Sequence, residues 1–120
     1  MIIVKKVNWI DENSGEADIS LSDGMYSIDC FCSDCNLVEG DKFTDILYGF
    51  SVRNVVRIFN QEFVVNKKND SYSIQGKLVD RENEILQIGE FKIDLSDGSL
   101  AKDIEQDEYV EVDISRIDIY

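Results

Sequence analysis

The chain contains no histidine and no proline, and it sets only twelve basic residues against twenty-five acidic ones. Without histidine the usual general base near neutral pH is missing, which closes Ser-His, Cys-His and His-ligated metal mechanisms. Glycine is sparse, and Gly40, Gly76 and Gly89 stand alone, so no glycine-rich phosphate loop follows a strand. No apolar run approaches the ~18 residues of a membrane-spanning helix. The opening Met1-Ile2-Ile3-Val4-Lys5-Lys6 places its lysines after a short apolar stretch, the reverse of a secretory signal. Three cysteines in such a chain point to the reducing cytoplasm, where thiols stay free. The expectation is a cytoplasmic protein with no membrane partner, no cofactor and no enzymatic activity.

What remains is apolar and acidic. Hydrophobic residues make up 43% of 120, enough for one folded domain over 1–120 and too many for a disordered chain. The net charge of −13 is spread over both halves. Such a field repels phosphate backbones, whose affinity for proteins comes largely from Lys and Arg, and it favours a basic protein partner.

Strand patterning dominates. β-Branched and aromatic residues recur with period two between clusters of Asp, Asn, Ser and Gly. Ile2 to Ile10 reads as a strand, residues 11–16 as a hairpin loop with Gly15 free to take positive φ, and Ala17, Ile19 and Leu21 as the buried face of a second strand. Tyr26, Ile28, Cys30 and Cys32 share one face of a third. Extended segments follow at Phe43 to Phe50, Glu62 to Asn66, Tyr72 to Asp80, Glu84 to Leu95 and Tyr109 to Tyr120, the last with a bulge or a change of sheet near Ser115-Arg116. Turns at residues 66–71 and 80–83 join three of them. Ser51 with Val52, Val55, Val56 and Phe59 has helical spacing and predicts a short helix there. The fold class is therefore all-β: a small barrel, OB-like or Greek-key, or a sandwich, with six to nine short strands and at most one or two short helices.

Leu21-Ser22-Asp23-Gly24 is echoed by Leu95-Ser96-Asp97-Gly98. Acidic turns at Glu39-Gly40-Asp41 and Glu105-Gln106-Asp107-Glu108 each launch a strand, so two related units, about 1–60 and 61–120, are one reading; good turn chemistry used twice is the other. The glycine-interrupted strand Ile74-Gln75-Gly76-Lys77-Leu78-Val79 and the acidic turn into Tyr109-Val110-Glu111-Val112 resemble small Greek-key barrels such as OB-folds over about a third of the chain. That resemblance implies an architecture and no activity.

Three constellations bear on function. Cys30-Phe31-Cys32-Ser33-Asp34-Cys35 could offer thiolates to a soft metal, yet a second ligand pair is missing. As strand neighbours Cys30 and Cys32 read as core, and Cys32 with Cys35 across the turn is the better redox pair. The loop Asp11-Glu12-Asn13-Ser14-Gly15-Glu16 alternates oxygen donors but lacks the closing Glu of a calcium loop. Asp103, Glu105, Asp107 and Glu108, with Glu111 and Asp113 behind them, form the densest acidic segment and the first candidate face for a basic protein. A small acidic protein of this kind resembles immunity-type inhibitors that cover a toxin's cationic site. The rival readings are an OB-like single-strand binder stacking bases on Trp9, Tyr26, Tyr48, Tyr72 and Tyr109 with help from Lys5, Lys6, Lys67, Lys68 and Lys77, and a thiol or metal protein built on Cys30, Cys32 and Cys35.

Overall fold

Alternating apolar residues bury one face of each strand and set its register, because a slip of one residue would turn every core side chain to solvent. The computed structural model describes residues 1–69 and 71–120; Asp70, part of the expected turn at 66–71, lies outside them. The described residues form strands and no helix: β1 (Ile2–Asp11), β2 (Glu16–Ser22), β3 (Ser27–Cys32), β4 (Lys42–Phe43), β5 (Leu47–Phe50), β6 (Arg53–Ile58), β7 (Val64–Lys68), β8 (Ser71–Asp80), β9 (Ile85–Ile88), β10 (Phe91–Asp94), β11 (Tyr109–Ile114) and β12 (Arg116–Ile119). They join in the order β4-β1-β2-β3-β12-β5-β10-β9-β8-β11-β6, with β7 added to β8. The buried apolar side chains form one cluster fed from both halves, with Phe91, Leu21, Ile74 and Ile114 among its fully enclosed members.

The all-β expectation is met, but the sheet is open: β4 and β6 end it without pairing to each other, so it does not close into a barrel. Among the described residues twelve strands stand where six to nine were expected, because three long segments break and a strand replaces the expected helix. The segment from Glu84 to Leu95 folds into a hairpin at Gly89 (φ 57°), and the segment from Phe43 to Phe50 is interrupted after Phe43. The last segment breaks at Ser115, whose amide donates to the Phe50 carbonyl at 3.0 Å, and β12 then takes new neighbours, β3 and β5.

The helix expected from Ser51 to Phe59 is instead the edge strand β6, antiparallel to β11. Its β-branched residues are stiff and prefer extended backbone, and β11 offers a free row of hydrogen-bonding groups. Ser51 and Asn54, both at positive φ, frame the entry. The apolar face that a helix would have buried is left partly bare, with Phe59 89% exposed.

The two halves share a pairing pattern. β1-β2-β3 and β8-β9-β10 are both antiparallel meanders, and each first strand carries a register shift, after Val4 and after Leu78. β4 pairs with β1 as β11 pairs with β8. The last strands are exchanged: β5 runs parallel to β10, β12 parallel to β3, and β5 and β12 lie antiparallel at the centre. The ladder aligns Leu21, Gly24, Tyr26, Ile28 and Asp29 with Leu86, Gly89, Phe91, Ile93 and Asp94. The two Leu-Ser-Asp-Gly stretches are not equivalent, since one joins β2 to β3 and the other follows β10.

Candidate functional site

The acidic segment before β11 is shaped by its turn. Asp103, Glu105 and Asp107 are exposed, while Glu108, Glu111 and Asp113 are half-buried. Most of these carboxylates already have partners. The Arg57 guanidinium, from β6, lies 2.9 Å from Glu108 and 3.4 Å from Asp103, whose carbonyl it also reaches. Lys77 stands 3.9 Å from Asp107. Gln75 donates to Glu111 at 3.0 Å and Asn54 to Asp113 at 2.8 Å. The six residues do lie together, but much of their charge is answered within the fold.

A polar cavity of about 350 Å³ opens between β1, β2 and β3 on one side and β7 and β8 on the other, with Asp29 as its hub. The Asp29 carboxylate accepts from Lys67 and from Ser20, both at 2.8 Å, and its backbone amide donates to the Tyr72 hydroxyl at 2.8 Å. Partial burial works against the charged form, yet these bonds hold the Asp29 carboxyl below its ordinary range. Burial pushes the Tyr72 hydroxyl up. At the cavity's other wall Arg116 donates to both oxygens of the buried Asp118 at 2.7 and 2.8 Å, and its guanidinium lies over Phe31 at 4.9 Å and Phe50 at 5.4 Å. Each cation of the cavity thus faces a carboxylate from the same chain.

The thiols divide. Cys30 and Cys32 are buried, as their shared strand face requires, while Cys35 is half-exposed. Burial, with Asp29 and Asp118 nearby, raises the Cys30 thiol well above its ordinary value. Cys32, whose thiol donates to the Ser33 carbonyl at 3.7 Å, is pushed up to about 12 by burial and by the neighbouring Cys35. No cluster of metal-ligating side chains occurs among the described residues.

Of the five aromatic candidates only Tyr26 and Tyr109 meet in one cluster among the described residues, through Phe63. Tyr26 packs on Phe63 at 6.1 Å, Tyr109 on Phe63 at 5.7 Å and Tyr48 on Tyr120 at 4.9 Å, and Tyr72 is buried. Of the lysines considered with them, Lys67 pairs with Asp29 and Lys77 faces Asp107, while Lys5, Lys6 and Lys68 are exposed.

Sequence reasoning gave too little weight to the tip of the β1–β2 hairpin. Gly15 turns the loop at φ 76°, and its carbonyl accepts the Cys35 amide at 2.8 Å, which seats the loop on the 33–35 turn. The Asp11 carboxylate accepts the Asn13 amide at 3.0 Å, and Glu16 accepts the Ser14 hydroxyl at 3.0 Å. Among the described residues Asp11, Glu12, Glu16, Asp18 and Asp34 have no ion-pair partner, whereas Asp103, Asp107 and Glu108 of the segment before β11 have one. Trp9 is 43% and Ile10 58% exposed beside them. The signal that could have found this tip was the placement of Trp9-Ile10 directly before the acidic loop.

No helix among the described residues is long and apolar enough to cross a membrane. Comparison with protein-family models, with curated proteins and with solved structures finds no match to this chain. Fold and surface together define an acidic all-β protein built on one open sheet.

Proposed function

We propose that this protein is a cytoplasmic interaction module that binds a basic protein partner, with the β1–β2 hairpin tip as its principal contact. The observation that carries the reading is the hairpin tip itself, where Asp11, Glu12 and Glu16, which have no ion-pair partner among the described residues, directly follow the exposed Trp9 and Ile10 around the turn. Free carboxylates steer a cationic partner at long range, and tryptophan is the side chain most often found at the energetic centre of an interface. The segment from Asp103 to Asp113 adds to the long-range field, but Arg57 and Lys77 offset part of it. Covering a cationic surface in this way is what an immunity-type inhibitor does.

The test is recovery of the protein from the cells that make it, followed by kinetics with whatever co-purifies. A basic protein is expected, associating more slowly as salt rises, since charges are screened over about 8 Å at physiological ionic strength. Neutralising the tip with D11N, E12Q, E16Q and D34N is expected to slow association more than E105Q, D107N and E108Q do. Micromolar or tighter binding of single-stranded DNA or RNA would decide for the single-strand binder instead.

A further inference from the structure

The Cys32-Ser33-Asp34-Cys35 segment has a geometry that plain core cysteines do not need. Cys32 closes β3, paired with Ala17 on one side and Ile119 on the other, so its backbone is fixed. Asp34 then turns the chain at positive φ (50°), and the Cys35 amide is tied to the Gly15 carbonyl at 2.8 Å. A side chain at Gly15 would crowd the Asp34 backbone, with its Cβ 3.2 Å from Asp34 Cα, so the loop and the turn are seated closely. The result is two thiols held at either end of one tight turn, Cys32 buried and Cys35 half-exposed, with Cys32 at the wall of a cleft of about 200 Å³ that Asn36 and Lys42 also line.

We propose that Cys32 and Cys35 are a reversible disulfide site, oxidised by small disulfide compounds, with Cys35 as the attacking thiol and Cys32 as the resolving one. The Cys35 thiolate attacks one sulfur of the compound, whose S–S bond breaks to release the first thiolate, leaving a mixed disulfide on Cys35. Cys32, losing its proton to solvent, then attacks the Cys35 sulfur and expels the second thiolate. Two protein thiols are oxidised by two electrons, and one small disulfide is reduced to two thiols. The high value of Cys32 makes the second step the slow one and speeds it as pH rises. Neighbouring acidic groups favour a neutral oxidant over an anionic one. Closing the bridge pins the turn on which the hairpin loop rests, through the bond from Cys35 to Gly15.

The experiment treats the folded protein with 2-hydroxyethyl disulfide at neutral and mildly alkaline pH, then measures intact mass, free thiols and the cross-linked peptide. The expected product has lost about 2 Da, reverts with dithiothreitol and forms faster at the higher pH. Its free thiols fall from three to one, and the survivor, Cys30, is labelled only after unfolding. The C30S variant is expected to close as the native chain does, and amide exchange at Cys35 to slow in the oxidised form. A stable adduct on Cys35 that Cys32 never displaces, a bridge involving Cys30, or three thiols left after treatment would each overturn the proposal.

Discussion

Gly40 and Asp107 occupy the same place in the two halves of the sheet, each at positive φ (92° and 68°) and each donating its amide to a buried strand residue, Val4 at 2.8 Å and Leu78 at 2.7 Å. The surrounding bonds repeat as well. Asp41 caps the Val38 amide at 2.9 Å as Glu108 caps that of Glu105 at 2.7 Å. The left-handed position itself differs, and there glycine is free of the strain that any side chain incurs. G40A is therefore expected to cost about 1 kcal/mol, arising from backbone conformation alone because the added Cβ meets nothing within 4 Å. D107G is expected to be neutral or to stabilise by a few tenths of a kcal/mol, since relief of strain is set against a more flexible unfolded chain. Urea unfolding of both variants checks this; a loss in D107G as large as that in G40A would show that the two turns are not energetically alike.

The exchange of β5 and β12 has a consequence for the two halves as separate chains. Residues 1–60 supply β5, but β10, the parallel strand beside it, lies in the other half, and β12 completes β3 from the far end of the chain. Each half alone leaves a core strand without its neighbour and exposes the apolar surface that the single core buries. Fragments 1–60 and 61–120 are expected to be unfolded or aggregated separately and to gain β structure when mixed. Circular dichroism and size-exclusion chromatography decide it, and cooperative folding of either fragment by itself would refute the interlocked core.

How much of this was legible in the sequence follows from the range of the interactions. Period-two patterning placed β1, β2, β3 and β8 and the burial of Cys30 and Cys32, because a strand's two faces are set by residues one and two apart. The same local signal misread Ser51 to Phe59, where the partner strand β11 lies some fifty residues on and overrides helical spacing. The candidate site suffered similarly. Nothing near Asp103 in the sequence announces that Arg57 will neutralise it, whereas the free carboxylates from Asp11 to Asp18 are known only once no base reaches them.

Gly76 marks where β8 changes partner, from β7 along residues 71–75 to β9 from Lys77 onward. A Cβ there would lie 2.7 Å from the Gln87 carbonyl oxygen and 2.9 Å from the Leu86 side chain. Backbone cannot withdraw from a central strand cheaply, so G76A is expected to destabilise by about 1–3 kcal/mol, the usual range for overpacking. Thermal unfolding within experimental error of the native chain would mean that β8 and β9 part more readily than the ladder implies.

The Asp29 carboxyl ties β3 to β7 through Lys67, and its value lies below that of the unfolded chain. A depressed carboxyl contributes stability above its unfolded value, near pH 4, and loses it as pH falls through the folded value. D29N is expected to be less stable than the native chain at neutral pH, with the gap narrowing below about pH 4 as the native carboxylate is protonated. Unfolding free energies measured from pH 7 to pH 2 test the sign; a gap that widens on acidification would exclude the ion pair as its source.

The pair of Arg116 and Asp118 holds the most deeply buried carboxylate among the ion pairs of the described residues, with Asp118 3% exposed and held by two bonds at 2.7 and 2.8 Å. Removing the guanidinium leaves a buried carboxylate without its donors and strips the cation from Phe31 and Phe50. Loss of one partner from a fully buried pair costs about 3–5 kcal/mol, but solvent reaches the Arg116 side, which is 56% exposed, so R116M is expected to cost about 2 kcal/mol. Lysine keeps the charge but cannot reproduce the paired bonds or the stacking, which places R116K between the two. Adding D118N to R116M removes the stranded charge and is expected to recover part of the loss, because the two residues act as a unit. Urea unfolding of the three variants checks this; R116M within about 0.5 kcal/mol of the native chain, the range of ordinary surface substitutions, would show that the pair contributes no more than an exposed one.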